Sequence, residues 1–244
     1  MSFRNSILFL CCSFFTNIAT AQPFIISEKH NNGNLTEVIT ATGKWSFCLY
    51  KGGILKTTYL AKNSTRNEQI SDAVIDPPLA SRAVFLRSGN NTLLKWNDST
   101  SILITDSSVQ YKLGKSSIIL KNGFCNDKER GFDFGLDNAE RIFGTGERSL
   151  PLNRRGYKVP LRNNPWYGYT LNADALNYSV PFILSDRNYA IFFDNPSTGY
   201  LDIGKTDPNI LKYSVCSGEQ SFYIIPGKSY SGIFGKYKTL TGTQ

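Results

Sequence analysis

The sequence predicts an all-β protein, a large antiparallel β-sandwich followed by one short C-terminal helix. Three observations carry this reading. Short β-prone runs recur at 35–41, 45–50, 54–60, 82–87, 101–105, 109–113, 117–121, 179–184 and 189–194, a spacing of about ten residues that suits a sandwich. Gly, Asn, Asp and Pro separate them, rather than the helical stretches that alternate with strands in parallel sheets. A helical periodicity stands out at the chain's end, where Tyr230, Ile233, Phe234, Tyr237 and Leu240 fall on one face.

Taken in order, residues 1–21 read as a secretory signal peptide. Arg4 supplies the positive region, Ile7 to Phe15 the apolar stretch, and Ala19-Thr20-Ala21 a small-residue cleavage site. A periplasmic or secreted protein is therefore expected. The apolar stretch is shorter than the roughly 20 residues of a membrane span, so none is expected. The sandwich occupies 22–228, long enough to bury a sizeable core. Turn chemistry punctuates it at Lys51-Gly52-Gly53, Lys121-Asn122-Gly123, Asp194-Asn195-Pro196 and Pro226-Gly227, and the polar stretch 63–78 reads as a surface excursion. Residues 229–244 form a linker helix with Ser229 as N-cap and Gly242 as its stop. Gly232 and Gly235 each weaken it by about 1 kcal/mol against alanine, so it is expected to depend on docking, and the chain to continue into a further domain.

The formal net charge is +8 over 244 residues, and Arg4 leaves with the leader. One denser basic stretch, Arg148, Arg154, Arg155, Lys158 and Arg162, contains no acid. It lies in no nucleic-acid-binding motif, so it reads as a solvated or intramolecularly paired face and nucleic acid is not an expected partner. Cys11 and Cys12 belong to the leader. Cys48, Cys125 and Cys216 are odd in number and widely spaced, which argues against a disulfide framework or a zinc site. Buried free thiols are expected, with a single disulfide as the alternative.

Chemistry concentrates in 140–204. Phe143-Gly144-Thr145-Gly146 lacks the lysine of a phosphate-binding loop and the third glycine of a dinucleotide fingerprint, so a strand-to-turn role is the better reading. Asn163, Asn164, Trp166, Tyr167 and Tyr169 supply what sugar recognition needs: aromatic faces for C–H surfaces and amides that donate and accept to hydroxyls. A core or interface role for the same aromatics stays open. Alternation in Tyr167-Gly168-Tyr169 would put both rings on one strand face.

Five segments together resemble the N-terminal domain of glycoside hydrolase family 31. They are Phe143-Gly144-Thr145-Gly146-Glu147, Leu152-Asn153-Arg154-Arg155-Gly156, Val180-Pro181-Phe182, Ile191-Phe192-Phe193-Asp194-Asn195-Pro196 and Tyr237-Lys238-Thr239-Leu240-Thr241-Gly242. Within the family the chain is most similar to bacterial oligosaccharide 4-α-glucosyltransferases and α-glucosidases. The resemblance implies a galactose-mutarotase-like sandwich packed on a (β/α)₈ barrel of the same parent enzyme, with α-linked gluco-oligosaccharides as substrates. Retaining cleavage needs two carboxyl groups about 5 Å apart and no cofactor. Both would belong to the barrel, and no acid here matches either role, so no catalytic residue is expected in this chain. The family's pocket loop, a Trp-Asn-x-Asp-like pattern, is matched only by Asn163, with Arg162 and Pro165 at the tryptophan and aspartate positions. Trp166, Tyr167 or Tyr169 would then stand in. Aldose mutarotation, the other chemistry of such sandwiches, uses histidines with a carboxylate, and His30 is the only histidine. Two alternatives remain: a stand-alone carbohydrate-binding module, and a structural partner of a separately encoded barrel.

Overall fold

The computed structural model describes residues 24, 26–62, 64, 72–75, 78–89, 91–165, 167–171, 173 and 176–242. The expected signal peptide and most of the expected 63–78 excursion lie outside the described residues. In chain order the strands are β1 (Ile26–Asn32), β2 (Leu35–Thr40), β3 (Gly43–Leu49), β4 (Leu55–Ala61), β5 (Val84–Ser88) and β6 (Asn91–Asn97). Next come β7 (Thr100–Ile104), β8 (Val109–Leu113), β9 (Ser116–Cys125), β10 (Arg130–Gly135), β11 (Ile142–Gly146) and β12 (Tyr157–Leu161). The last are β13 (Ser179–Ser185), β14 (Tyr189–Phe193), β15 (Gly199–Ile203), β16 (Ile210–Val215) and β17 (Gln220–Pro226), followed by helix α1 (Tyr230–Thr241).

These strands build two antiparallel sheets, so the expected fold class holds. One runs β1-β2-β3-β4-β17-β14-β13-β11 and the other β12-β15-β16-β10-β9-β8-β7-β6-β5. Period-two burial is plain in β3 and β8, where every second side chain enters the core. The two inner faces meet through aromatic contacts. The Phe193 and Tyr213 rings stack at 4.1 Å, and Phe222 packs edge-on against Phe132 at 4.8 Å and Phe134 at 5.1 Å. Offset and edge-to-face pairs of this kind add about 0.5–1.5 kcal/mol beyond the area they bury.

β14 and β17 break the alternation and are buried almost throughout. The reason is α1, which lies over their outer face. Ile233 and Leu240 are fully buried against Ala190, Phe192, Tyr223 and Ile225. Continuous apolar runs in the sequence mark the strands covered on both sides. The Ser229 side chain accepts from the Gly232 amide, and the Gly242 amide caps the Lys238 carbonyl, as the sequence signals require.

Two expectations need correction. Lys121-Asn122-Gly123 is not a turn, because β9 runs straight through it to Cys125 with a bulge opposite Asp133 and Phe134. Gly123 serves packing instead: a Cβ there would stand 2.5 Å from Cη2 of the fully buried Trp45. None of the three expected buried thiols is fully buried. Cys48 and Cys125 are half-buried, and Cys216, just past the end of β16, is an exposed free thiol. Among the described residues no helix is long and apolar enough to cross a membrane.

Trp45 stacks on Tyr59 at 4.4 Å and touches Phe24 and Phe132, so it has no free direction in which to yield. Gly123→Ala should therefore destabilise the chain by about 1–3 kcal/mol, the usual range for overpacking. Chemical denaturation of both proteins checks this, with a lowered midpoint at unchanged slope as the expected outcome.

Candidate functional site

The chain crosses repeatedly between the sheets from β10 onward: β11 is in one, β12 in the other, and β13 back in the first. A crossing segment has no neighbouring strand for its backbone, so its carbonyls need donors from side chains or water. The arginine-rich stretch supplies them. Arg154 is buried and donates to the carbonyls of Gly144 (3.2 Å), Leu150 (2.7 Å) and Pro151 (2.5 Å). Arg155 donates to those of Asp137 (2.7 Å), Glu140 (3.2 Å) and Pro208 (2.7 Å). Asn153 adds its Oδ1 as acceptor for the amides of Ile142 and Arg155. Burial pushes the Arg154 pKa down from its ordinary value, because carbonyl dipoles replace only part of the lost hydration. The basic stretch is thus mostly an intramolecular brace; Lys158 joins it outside, 3.8 Å over the Tyr200 ring.

β11 carries the first of the glycine-rich segments. Its residues 144–146 all have positive φ, 100° at Gly144, 72° at Thr145 and 84° at Gly146, and the pairing with β13 shifts register there. A Cβ at Gly144 would lie 2.5 Å from the Phe182 carbonyl oxygen, and one at Gly146 2.4 Å from that of Tyr178. The segment is a bulged strand end in close backbone contact with its neighbour, and the chain bends directly after Gly146, in keeping with the strand-to-turn reading. It borders an apolar groove of about 500 Å³ lined by Phe143, Thr145, Leu152, Val180, Phe182, Tyr230, Phe234 and Tyr237. Leu152, Tyr230 and Phe234 stay exposed there.

The residues expected to meet sugar sit on the loop between β12 and β13. Tyr167 is 98% exposed and Tyr169 50%, with Leu171 and Tyr178 also exposed nearby in sequence. Asn163 and Asn164 are exposed at its first foot, and Trp166 lies outside the described residues. Tyr167 and Gly168 form a turn, with φ of 84° at Gly168. The two tyrosines therefore do not alternate along a strand face as expected, because the glycine's left-handed backbone reverses the chain between them. Two further concavities, of about 340 and 540 Å³, lie elsewhere, and none of these three grooves is lined by Asn163, Asn164, Tyr167 or Tyr169.

Both feet of the loop are tied to the end of β11. The amides of Asn164 and Glu147 donate to the Leu176 and Tyr178 carbonyls at 2.9 Å each, and the Asn177 amide donates to Glu147 Oε2 at 3.2 Å. The Ser179 amide donates to Asn163 Oδ1 at 2.7 Å, and the Ser179 hydroxyl to the Arg162 carbonyl at 2.5 Å. Buried Arg148 donates to the carbonyls of Glu147 (3.0 Å) and Pro160 (2.6 Å) and to Ser179 Oγ (2.9 Å). Burial first, then the charge of Arg154, lowers the Arg148 pKa. Arg148 and Ser179 escape sequence inspection as a pair, since they are 31 positions apart.

A buried carboxylate, Glu140, anchors the other end of the same region. Its Oε1 accepts from the hydroxyls of Ser185 and of Tyr189, the latter at 2.5 Å, and its Oε2 from the Asp137 amide at 3.2 Å. Burial and then the Glu140 charge hold the Tyr189 pKa well above its ordinary value. This carboxylate faces no cavity among the three grooves, and its contacts are those of a structural acceptor. Among the described residues no group of three or more His, Cys, Asp or Glu side chains gathers as a metal site would require. Glu140→Ala should leave two buried hydroxyls without their acceptor and cost roughly 3 kcal/mol; a thermal melt that moves by less than a degree would contradict that role.

The fold and these motifs can be set beside known proteins. Residues 17–202 match the model of the glycosyl hydrolase 31 N-terminal galactose mutarotase-like domain. An α-glucosidase of Saccharolobus solfataricus is 27% identical over 110 residues, 44% of this chain and 16% of that protein. An α-xylosidase of Emericella nidulans is 27% identical over 111 residues, 45% of this chain and 14% of that protein. The structure of a Flavobacterium johnsoniae GH31 dextranase with bound glucose overlays 91% of this chain and 28% of its own, with a TM-score of 0.81 at 26% identity. The chain thus spans less than a third of the solved relative and a smaller share of the curated ones. With the sandwich topology, the bulged glycine segment and the arginine brace in place, the chain belongs to the glycosyl hydrolase 31 N-terminal galactose mutarotase-like domain family.

Proposed function

We propose that this sandwich supports the substrate pocket of a family 31 α-glucoside-processing enzyme, acting in the periplasm or outside the cell. The observation that carries the reading is the β12–β13 loop: exposed Tyr167, Tyr169 and Asn163 stand on feet fixed by hydrogen bonds to Ser179 at the start of β13 and to Glu147 just after β11. Exposed rings are a cost in a monomer unless something covers them. An α-linked gluco-oligosaccharide suits these rings and amides, with C–H faces on the tyrosines and hydroxyls on the asparagines. The dextranase similar to this chain has also been solved with isomaltotriose, which makes that sugar the natural probe.

An exposed loop of this kind suits one wall of a pocket. The second wall and the carboxylate pair would come from a (β/α)₈ barrel of the same parent enzyme, which would hydrolyse or transfer α-glucosyl units with retention. The apolar groove beside α1 is the seat we assign to that barrel, with Leu152, Tyr230 and Phe234 as the side chains it would cover. One observation favours the second reading, a stand-alone carbohydrate-binding module. α1 buries Ile233 and Leu240 on its own sheet, so the chain has a helix partner without a further domain.

Titration of the full chain with isomaltotriose and with maltotriose, followed by NMR, tests the loop's role. Weak, roughly millimolar binding is expected, falling about tenfold in Tyr167→Ala/Tyr169→Ala, the equivalent of about 1.4 kcal/mol. Absence of binding, or binding indifferent to that double substitution, would overturn it. Binding at micromolar strength would instead support the module.

A further inference from the structure

We infer that Arg148 is a positioning residue that fixes Asn163 as a hydrogen-bond donor toward the sugar. The inference rests on reading the β12–β13 loop as a sugar wall. The chain of contacts is short. Arg148 Nη2 reaches Ser179 Oγ at 2.9 Å and the Pro160 carbonyl at 2.6 Å, spanning the end of β12 and the start of β13. With its oxygen accepting from the guanidinium, the Ser179 hydroxyl has its one proton left for the Arg162 carbonyl, to which it donates at 2.5 Å. The Ser179 amide then points at Asn163 Oδ1, 2.7 Å away.

That last bond decides the orientation of the Asn163 side chain. A backbone amide can only donate, so the atom facing it must be the carbonyl oxygen and not the nitrogen. Oδ1 is committed to Ser179, and Nδ2, with its two protons, is the end of this exposed side chain left for a ligand. Asn163 can therefore offer a ligand donors, and the hydroxyl it meets must accept. The sugar oxygen at this position keeps its own proton for another partner, a constraint that distinguishes it from one facing a carboxylate. Asn163→Asp keeps the bond to Ser179 and inverts the outward face from donor to acceptor.

Two measurements on the full chain separate this inference from the reading it rests on. Amide hydrogen exchange reports the clamp without any sugar. Arg148→Met should speed exchange at Ser179, Asn164 and Asn177 at least tenfold, leave the core amides of Ile191 and Phe222 unchanged, and shift the Asn163 side-chain amide resonances. Arg148→Lys should recover part of that protection. Equal loss at core and loop would make Arg148 an ordinary stabilising residue, and unchanged protection at Ser179 would remove the clamp; either result overturns the inference. Ser179→Ala, which removes the bridging hydroxyl alone, should show the same loop-limited loss and serves if Arg148→Met does not fold. Isomaltotriose titration then reads the donor. Asn163→Asp should lose at least tenfold in affinity with Ser179 still protected, whereas undiminished affinity would overturn the donor assignment. A wild-type chain that binds no isomaltotriose, yet loses loop protection in Arg148→Met, would sink the sugar-wall reading while leaving the clamp standing.

Discussion

A sandwich whose chain keeps changing sheets must satisfy carbonyls that no neighbouring strand can reach, and here that requirement falls on arginine. Between β10 and β13 the backbone passes from one sheet to the other and back. Arg154 and Arg155 between them bind five carbonyls in this stretch and a sixth, that of Pro208, between β15 and β16, and Arg148 binds two more in the stretch. Guanidinium suits the task because its five N–H groups fork in fixed directions and its charge is weakly hydrated. No ion pair with a carboxylate joins Arg148, Arg154 or Arg155 among the described residues, so their partners are backbone dipoles. Of the basic stretch, read from the sequence as a solvated or intramolecularly paired face, Arg148, Arg154 and Arg155 are spent on the fold, while Lys158 and Arg162 stay exposed.

The same brace explains why the candidate site is where it is. The bulged glycine segment of β11 presses against β13, and Arg154 binds one of its carbonyls. Glu147 and Arg148, at the segment's end, then hold both feet of the exposed aromatic loop. Rigid scaffolding beneath an exposed loop is how binding residues are usually presented. On its other flank the bulge borders the apolar groove under α1. One strained strand thus connects the surface we assign to sugar with the surface we assign to a neighbouring domain.

The fold was legible wherever local signals and tertiary demands agreed. Short β-prone runs marked β3, β8 and the doubly covered β14, and Ser229 with Gly242 bracketed α1, whereas β17 is outside the expected runs. It was misread where a glycine served a distant partner. Gly123 makes room for Trp45, 78 positions earlier, and nothing beside it in sequence says so. Gly168 misled in the opposite sense, turning the chain where alternation implied a strand. The candidate site was half legible. Asn163, Tyr167 and Tyr169 were visible as residue types, but their fixation depends on Arg148 and Ser179, whose acceptors are backbone atoms that carry no sequence signature.

The most direct test of this account is the thermal stability of Arg154→Lys/Arg155→Lys. Charge is conserved, so an anion-binding or solvated role would be largely preserved, but a lysine cannot reproduce a guanidinium's fork onto three carbonyls. Hydrogen bonds to charged groups contribute about 1.5–3 kcal/mol each, most of it here from the part-buried partners of Arg154, since water can replace Arg155 at the exposed Asp137 and Pro208 carbonyls. The expected loss is roughly 3 kcal/mol or more, which for a domain of this size lowers Tm by about 6–12 °C. A double variant melting within a degree of the wild-type protein would contradict it, and would return the arginines to the surface as candidates for ligand binding.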